Sequence, residues 1–438
     1  MQKLPRMFFV KCTRVVFVFF IMLMLGLQAS PVHAGPITDI VVFGDSLSDT
    51  GNVYVSSPGF PPSPYFIGRF SNGPVWVETL AVGLGLTAPT PSLLGGMNYA
   101  WGGAETGHGS SFLGTPNIGV QIDAFLDGNT PSDKHLYVIW AGSNDFNNAV
   151  TLPVPVPEPA ALVQNISGHI TAIANAAPPG TELKFLVANL PPLGQTARAQ
   201  WLGQYVHPLI PVALDLLSWK FNTLLSAALE ELEENPGIKI FRLDIFSLTQ
   251  EILMHPDVFG FTNVTDTARI PSISPGPPPD VTSPDAGIVT YPDEYFFFDD
   301  IHPTRVWHTI VGNRALSVVL SEPVAIDIKP QSDPNSINPR SKGKIPVAIL
   351  STMDFSAPDE VDIDSLMFGS SGGEESLSFC NHNPEDVNGD GYDDLVCHFY
   401  TQMTGFDCED REGIVMGLTI DGIPIEGRDS VKIIPCKK

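Results

Sequence analysis

Between residues 37 and 320, the chain alternates short apolar runs with longer segments of helical periodicity. The candidate strands lie at residues 37–43, 136–141, 183–189 and 238–244. The candidate helices lie at residues 75–84, 118–126, 160–176, 212–234 and 304–320. Such alternation is typical of βαβ units, in which parallel strands form a sheet between layers of helices. We therefore predict an α/β fold, with proline-rich surface loops at 57–64, 152–159 and 271–284.

Ser46 is the first candidate for chemistry. The apolar run 40–43 stops at Gly44, and Ser46 follows two residues later, before small polar residues typical of a helix start. A serine hydroxyl at this point would project from the carboxyl end of a strand, where α/β proteins hold their reactive groups. Backbone N–H groups at the helix start would favour an anion beside it. Ser46 is thus a candidate nucleophile, and the alternative is a serine that only caps a helix.

Four short blocks follow one another along the chain. They read GDSLSDTGN from Gly44, NYAWGGA from Asn98, GSND from Gly142 and DDIHPT from Asp299. In sequence and in order they resemble the conserved blocks of the GDSL lipase/esterases, in the SGNH hydrolase superfamily. The resemblance covers about residues 37–320. It implies a three-layer SGNH-type fold, with a parallel sheet flanked by helices, and a serine ester hydrolase that needs no cofactor for catalysis.

The resemblance also implies a catalytic triad. Ser46 would be the nucleophile, His302 its general base and Asp299 the carboxylate that orients His302. A serine hydroxyl is a weak nucleophile until a neighbouring imidazole can take its proton. A carboxylate on the other ring nitrogen fixes the tautomer and stabilises the imidazolium. Asp300 is a rival for the carboxylate role, although the spacing of the block favours Asp299.

The same resemblance implies an oxyanion hole. The backbone N–H of Ser46, a glycine N–H of the NYAWGGA block and the side-chain N–H of Asn144 would donate to the oxyanion. Alignment of the block points to Gly103, and Gly102 is one step away. Taken alone, the glycines also fit a simple turn, and Asn144 also fits an Asx turn at a strand end.

Residues 1–34 have the composition of a secretory signal peptide. A basic start precedes the apolar run 15–27, and the small residues of Val32–His33–Ala34 end the segment. We predict cleavage after Ala34 and export to the exterior or the periplasm, with a membrane anchor as the alternative. No later stretch is long and apolar enough to span a membrane. The net charge of −25 argues against binding to nucleic acid or tightly to an anionic membrane.

From residue 321 onward, helical periodicity gives way to short strand-like runs, which predicts a small all-β accessory domain, similar to a β-sandwich, over 321–438. The hydrolase domain would then span 35–320. All the cysteines except Cys12 lie in this last region, so export predicts two disulfides. Three pairings are possible, and we favour Cys380–Cys397 and Cys408–Cys436.

The segment DVNGDGYDD, which starts at Asp386, places oxygen-bearing side chains at alternating positions with a glycine at the sixth. This resembles the first half of an EF-hand-type calcium loop. Because Cys397 stands where an EF-hand has glutamate, we predict an Asp-rich loop of the dockerin or integrin type within the β-domain. Its ligands to a structural Ca²⁺ would be Asp386, Asn388, Asp390 and Asp394, and the alternative is a simple hairpin turn.

These observations together predict a secreted serine hydrolase that cleaves carboxylic esters. Lipid esters are preferred, because the first block looks closest to family members that act on lipids. One alternative is a carbohydrate acetyl esterase. Another is a secreted calcium-binding adhesion protein with a vestigial hydrolase domain. The sequence leaves open the choice between hydrolysis and acyl transfer, and also the oligomeric state.

Overall fold

The computed structural model describes residues 37–152, 154–270 and 287–436. The predicted signal peptide and the whole proline-rich insertion at 271–284 lie outside these ranges. Among the residues described, no helix has the length and apolar character needed to cross a membrane.

The α/β part and the C-terminal part differ in their secondary structure. The α/β part contains strands β1 (Asp39–Gly44), β2 (His135–Trp140), β3 (Leu183–Ala188), β4 (Ile238–Leu243), β5 (Asn263–Thr267), β6 (Arg269–Ile270), β7 (Gly287–Ile288) and β8 (Tyr295–Phe297). Its helices are α1 (Asn52–Ser56), α2 (Trp76–Gly83), α3 (Ile118–Gly128), α4 (Ser143–Thr151), α5 (Pro159–Ala176), α6 (Ala197–Tyr205), α7 (Ile210–Glu233), α8 (Ile245–Met254) and α9 (Arg305–Leu320). The C-terminal part contains β9 (Glu322–Pro323), β10 (Ile326–Ile328), β11 (Ser336–Ile337), β12 (Lys344–Ile349), α10 (Ala357–Glu360), β13 (Val361–Gly369), β14 (Leu377–Cys380), β15 (Leu395–Tyr400), β16 (Glu412–Thr419), β17 (Pro424–Ser430) and β18 (Lys432–Ile433).

Strands β1 to β4 form one parallel sheet in chain order. Their side chains alternate between two hydrophobic cores, so that Ile40 and Val42 face one core while Val41 and Phe43 face the other. Helices α2, α8 and α9 cover the first face, and α3, α5 and α7 cover the second. Each fully buried aliphatic side chain contributes about 1.5–3 kcal/mol, which explains why most residues of these strands are apolar. The predicted three-layer α/β fold is confirmed.

The prediction of a helix start directly after Ser46 is wrong. Residues 45–48 form a turn, and α1 begins only at Asn52. The Asp49 carboxylate accepts hydrogen bonds from the N–H groups of Gly51, Asn52 and Val53, at 2.7, 2.7 and 3.2 Å. The first donors of this short helix are thus satisfied by Asp49 and are turned away from Ser46.

The C-terminal part contains two four-stranded sheets, ordered β10-β12-β15-β14 and β13-β16-β17-β9. They enclose a separate hydrophobic core that includes Ile328, Val347 and Phe368. Strand β16 also contributes Ile414 and Met416 to the core beneath α9. The β-rich C-terminal region is therefore as predicted, and the boundary between residues 320 and 321 stays a prediction.

Both disulfides of the favoured pairing are present. Cys380 and Cys397 stand opposite each other on the antiparallel strands β14 and β15 and are bonded. Cys408 is bonded to Cys436, which follows β18. The second bond fixes the end of the described chain to the loop before β16.

Candidate active site

Ser46 lies just beyond the carboxyl end of β1, in the turn that precedes α1. Ser46 is only 8% exposed, and its Oγ lies 2.8 Å from Nε2 of His302. These two residues are 256 positions apart in the sequence. Gly44 permits the tight turn, because a Cβ atom there would lie 3.1 Å from the carbonyl oxygen of Trp140 and from the side chain of Ser48.

His302 and Asp299 lie in the loop between β8 and α9. Nδ1 of His302 is 2.7 Å from Oδ2 of Asp299. The other carboxylate oxygen, Oδ1, accepts the backbone N–H groups of Ile301 at 2.9 Å and His302 at 2.7 Å. An ionised carboxylate can only accept, so Nδ1 must carry the proton and Nε2 is left to accept the hydroxyl proton of Ser46. This is the arrangement that a serine nucleophile and its general base require.

The charge state of Asp299 follows from opposing effects. Burial alone would raise the pKa of this carboxyl. The charge and hydrogen bond of His302, together with a hydrogen bond from the Tyr65 hydroxyl at 2.5 Å, outweigh the effect of burial and hold the pKa of Asp299 at about 2. Asp299 is therefore an anion at neutral pH.

Asp300 pairs with Arg198. Its carboxylate accepts two hydrogen bonds from the Arg198 guanidinium, Nε to Oδ2 at 2.5 Å and Nη2 to Oδ1 at 3.0 Å. This paired geometry is the strong form of an ion pair. Asp299, and not its rival Asp300, is the carboxylate that the structure brings to His302.

Two backbone N–H groups near Ser46 are free to act as oxyanion donors. Those of Ser46 and Gly103 make no hydrogen bond to any residue that the structure describes. The N–H of Gly102 instead donates to Oδ2 of Asp49 at 3.1 Å. Gly103 has a positive φ of 81° that favours glycine, and a Cβ atom there would lie 2.7 Å from Leu113. Of the two glycines, Gly103 keeps its donor available.

Asn144 stands in the first turn of α4, beyond the carboxyl end of β2. Its side-chain nitrogen donates to the carbonyl oxygen of Ala104 at 2.9 Å and to Oδ2 of Asp45 at 3.3 Å. Burial raises the pKa of Asp45 to about 6. The Asn144 amide nitrogen thus donates to two oxygens of the protein in this structure.

The catalytic side chains open into an apolar pocket. Ser46, Asn144 and His302 are among its lining residues. The apolar part of the lining is contributed by Leu47, Pro191, Pro192, Leu193, Phe296, Phe297, Ile301, Pro303 and Trp307. The polar residues Asp45, Ser143, Asn147, Gln195, Thr196 and Thr249 also line the pocket, beside this apolar wall.

The residues predicted to bind calcium form hydrogen bonds with other groups of the protein. Asp386 accepts the N–H groups of Gly389, Asp390 and Gly391, and Asn388 donates to Asp390. Asp394 is fully buried and accepts the N–H groups of Ser351 and Val387. Within the described ranges, no group of three or more His, Cys, Asp or Glu side chains is arranged to hold a metal ion. Calcium binding stays a prediction.

Several contacts around the triad were not predicted from the sequence. Tyr65 contacts Asp299, and the Phe70 ring lies 5.3 Å from the His302 ring between centroids. Asp49 joins the turn after Ser46 to the glycine block. Only the position of Asp49 within the GDSLSDTGN block could have drawn attention to it, because Tyr65 and Phe70 lie in a loop outside the four blocks.

Residues 40–315 match the family described as GDSL-like Lipase/Acylhydrolase. A phosphatidylcholine-sterol acyltransferase of Aeromonas hydrophila is 30% identical over 249 residues, which cover 55% of this chain and 69% of that protein. A GDSL esterase/lipase of Arabidopsis thaliana is 22% identical over 333 residues, covering 63% and 82% of the two chains. A solved carbohydrate acetylesterase from Sinorhizobium meliloti, 14% identical, aligns with 64% of this chain and 98% of its own at a TM-score of 0.36.

Proposed function

This chain belongs to the GDSL-like lipase/acylhydrolase family and is an ester hydrolase, and from that premise we propose that it cleaves lipid esters through an acyl-enzyme on Ser46. The observation that carries the mechanism is the unbroken series of contacts from Ser46 Oγ through the His302 ring to the Asp299 carboxylate, at 2.8 and 2.7 Å. Each member of the series is buried, so water does not compete for these hydrogen bonds.

Acylation begins when Ser46 Oγ attacks the ester carbonyl carbon. As the O–C bond forms, the hydroxyl proton moves to Nε2 of His302, and the Asp299 carboxylate stabilises the imidazolium. The carbonyl oxygen becomes an oxyanion, which the N–H groups of Ser46 and Gly103 and the amide of Asn144 stabilise. The intermediate then collapses, and the leaving alkoxide takes the proton from Nε2. The products of this half-reaction are a free alcohol and an acyl-Ser46 ester.

Deacylation repeats these steps with water as the nucleophile. Nε2 of His302 takes one water proton while the water oxygen attacks the acyl carbon. Collapse of the second intermediate returns the proton to Ser46 Oγ and releases the carboxylic acid. An alcohol in place of water would give acyl transfer, so the two outcomes share one acyl-enzyme.

Apolar side chains around the catalytic residues support a lipid substrate. The hairpin at residues 110–116 exposes Phe112 and Leu113, at 68% and 69%, and a Cβ atom at Gly103 would lie 2.7 Å from the Leu113 side chain. Phe60 is 43% exposed and packs against Phe70, which contacts His302. Large exposed apolar groups that border a site commonly mark an interaction surface. The Aeromonas hydrophila relative is likewise named for a phosphatidylcholine reaction.

A substrate panel tests the lipid assignment. Rates on phosphatidylcholine vesicles, soluble p-nitrophenyl esters and acetylated sugars should rank the phospholipid first in kcat/KM. Phe112→Ser should lower the rate on vesicles several-fold and leave the soluble ester unaffected. Ile420→Ser in the C-terminal part is the matched control, since Ile420 is also 68% exposed. A preference for acetylated sugars, with equal vesicle rates in both variants, would overturn the lipid assignment and retain the ester hydrolase.

We also propose export of the chain and structural calcium in the Asp386–Asp394 loop. Export predicts that the mature protein starts at Gly35, which N-terminal sequencing of secreted material measures.

Calcium should raise the melting temperature of the protein and fail to do so in Asp390→Ala. Asp393→Ala, in the same loop but outside the proposed ligand set, is the control. Equal responses of both variants to calcium would show that the loop is only a turn.

A further inference from the structure

Tyr65 is buried in a proline-rich loop between the GDSLSDTGN and NYAWGGA blocks. It is 6% exposed, and its Oη lies 2.5 Å from Oδ2 of Asp299, 234 residues away. The ring packs edge-on against Phe298 at a centroid distance of 5.0 Å. The guanidinium of Arg269 lies 4.6 Å from the centroid of the same ring. Contacts on its ring and at its hydroxyl thus determine the position of Tyr65.

The Tyr65 hydroxyl must be the donor in this contact. Asp299 is an anion and can only accept. Burial, together with the neighbouring charge of Asp299, raises the pKa of Tyr65, so its proton is retained. Oδ2 of Asp299 is therefore shared between two donors, the Tyr65 hydroxyl and Nδ1–H of His302. The remaining oxygen is held by backbone N–H groups.

We propose that Tyr65 is a positioning residue of the triad, whose hydroxyl fixes the Asp299 carboxylate and limits the negative charge that Asp299 presents to His302. The inference rests on the function proposed above and adds a residue to it. Tyr65 touches neither the substrate nor the reacting atoms, and it acts through Asp299.

Because Oδ2 of Asp299 is shared, loss of the Tyr65 hydroxyl should have two consequences. Without the hydroxyl, Oδ2 has only His302 as a donor, so the carboxylate stabilises the imidazolium more strongly. His302 then keeps its proton to a higher pH, and the protonated ring cannot act as a base. The carboxylate is also less firmly held, which lowers the fraction of molecules with an aligned triad.

Other charged groups face the triad from each element packed against it. Asp45 lies beside Ser46, and the buried His308 lies on α9. Asp300 is paired with Arg198 of α6. Arg269 lies behind the Tyr65 ring. Tyr65→Phe leaves all of these charges in place, so a change in pH dependence in that variant reports the lost hydroxyl.

The test compares Tyr65→Phe with Tyr137→Phe in the full chain. Tyr137 is the matched control, because it is also buried and its hydroxyl accepts the N–H of Ser132 at 2.8 Å, away from the triad. In Tyr65→Phe the plateau of kcat in its pH profile should fall about 10-fold. The acid limb of the pH profile of kcat/KM should move to higher pH by roughly half a pH unit. In Tyr137→Phe the melting temperature should fall while the acid limb stays in place.

A second measurement is independent of turnover. In the Ser46→Ala protein, NMR follows the protonation of the His302 ring with pH, and adding Tyr65→Phe should move its midpoint upward by a similar amount. An unmoved midpoint together with an unmoved acid limb would overturn the role of Tyr65. Absence of esterase activity in the wild-type protein would instead contradict the proposed function.

Discussion

Replacement of Asp299 by asparagine should invert the hydrogen-bond pattern of the triad. In the wild-type protein, both carboxylate oxygens of Asp299 accept hydrogen bonds. The asparagine amide has one oxygen, which accepts, and one NH₂ group, which donates. Oδ1 faces two backbone N–H donors, from Ile301 and His302, which cannot become acceptors. The amide oxygen must therefore take the Oδ1 position, and the NH₂ group must take the Oδ2 position. There it faces Nδ1 of His302 and the Tyr65 hydroxyl.

Both groups at the Oδ2 position can respond to an NH₂ donor. The Tyr65 hydroxyl can rotate its hydrogen away and accept. The imidazole can accept at Nδ1 only in the tautomer that carries its proton on Nε2, and this tautomer cannot take the proton of Ser46. Loss of the base should lower kcat by about 10⁴, which corresponds to about 5.4 kcal/mol in the activation free energy.

Steady-state kinetics on a short-chain p-nitrophenyl ester measures this effect. KM should change little, because Asp299 does not contact the substrate, and circular dichroism should show a folded protein. Asp299→Asn with turnover within 10-fold of the wild type would refute the reasoning about the tautomer.

Three further changes have defined outcomes. Asn144→Ala removes an oxyanion donor, so kcat should fall by roughly 10²–10³ with a smaller change in KM; equal kcat values would exclude Asn144 from the oxyanion hole. Asp300→Asn leaves the half-buried guanidinium of Arg198, 24% exposed, without its carboxylate, so the free energy of unfolding measured in urea should fall by about 1–3 kcal/mol. Turnover of the folded Asp300→Asn protein should stay within 10-fold, and a larger loss there than in the Asp299 variant would transfer the carboxylate role. Burial raises the pKa of Asp45 to about 6 and of Asp145 to about 7, from 3.8. The folded state thus binds these protons more tightly than the unfolded chain, and the melting temperature should rise as the pH falls from 7 to 5; a fall would contradict the raised pKa values.

The layered sheet could be predicted because its cause is local. Buried parallel strands need apolar side chains on both faces, so runs such as 40–43 are apolar without interruption, and each predicted strand lies within two residues of the observed one. The short helices α4, α6 and α8 were not predicted. α4 begins within the GSND block and carries only three apolar residues, Phe146, Ala149 and Val150, which are too few to indicate a helix in the sequence.

The site could be predicted only in part, for a different physical reason. Ser46 and His302 each stand in a recognisable block, and the fold brings the two blocks together. The donor to Asp299 comes from Tyr65, in a loop with no periodicity, and its position depends on tertiary packing against Phe298. The helix start was misplaced because Asp49 binds the first N–H groups of α1, a contact that the sequence pattern does not specify.

Covalent labelling measures most directly whether Ser46 is an activated nucleophile. The protein is incubated with a fluorophosphonate, and mass spectrometry locates the adduct. One adduct should form, on Oγ of Ser46, and labelling should be lost in Ser46→Ala and fall steeply in His302→Ala. Ser143→Ala is the control, because Ser143 lines the same pocket and should not be needed for labelling. An adduct on Ser143, or ester hydrolysis that persists in Ser46→Ala, would contradict the catalytic role of Ser46.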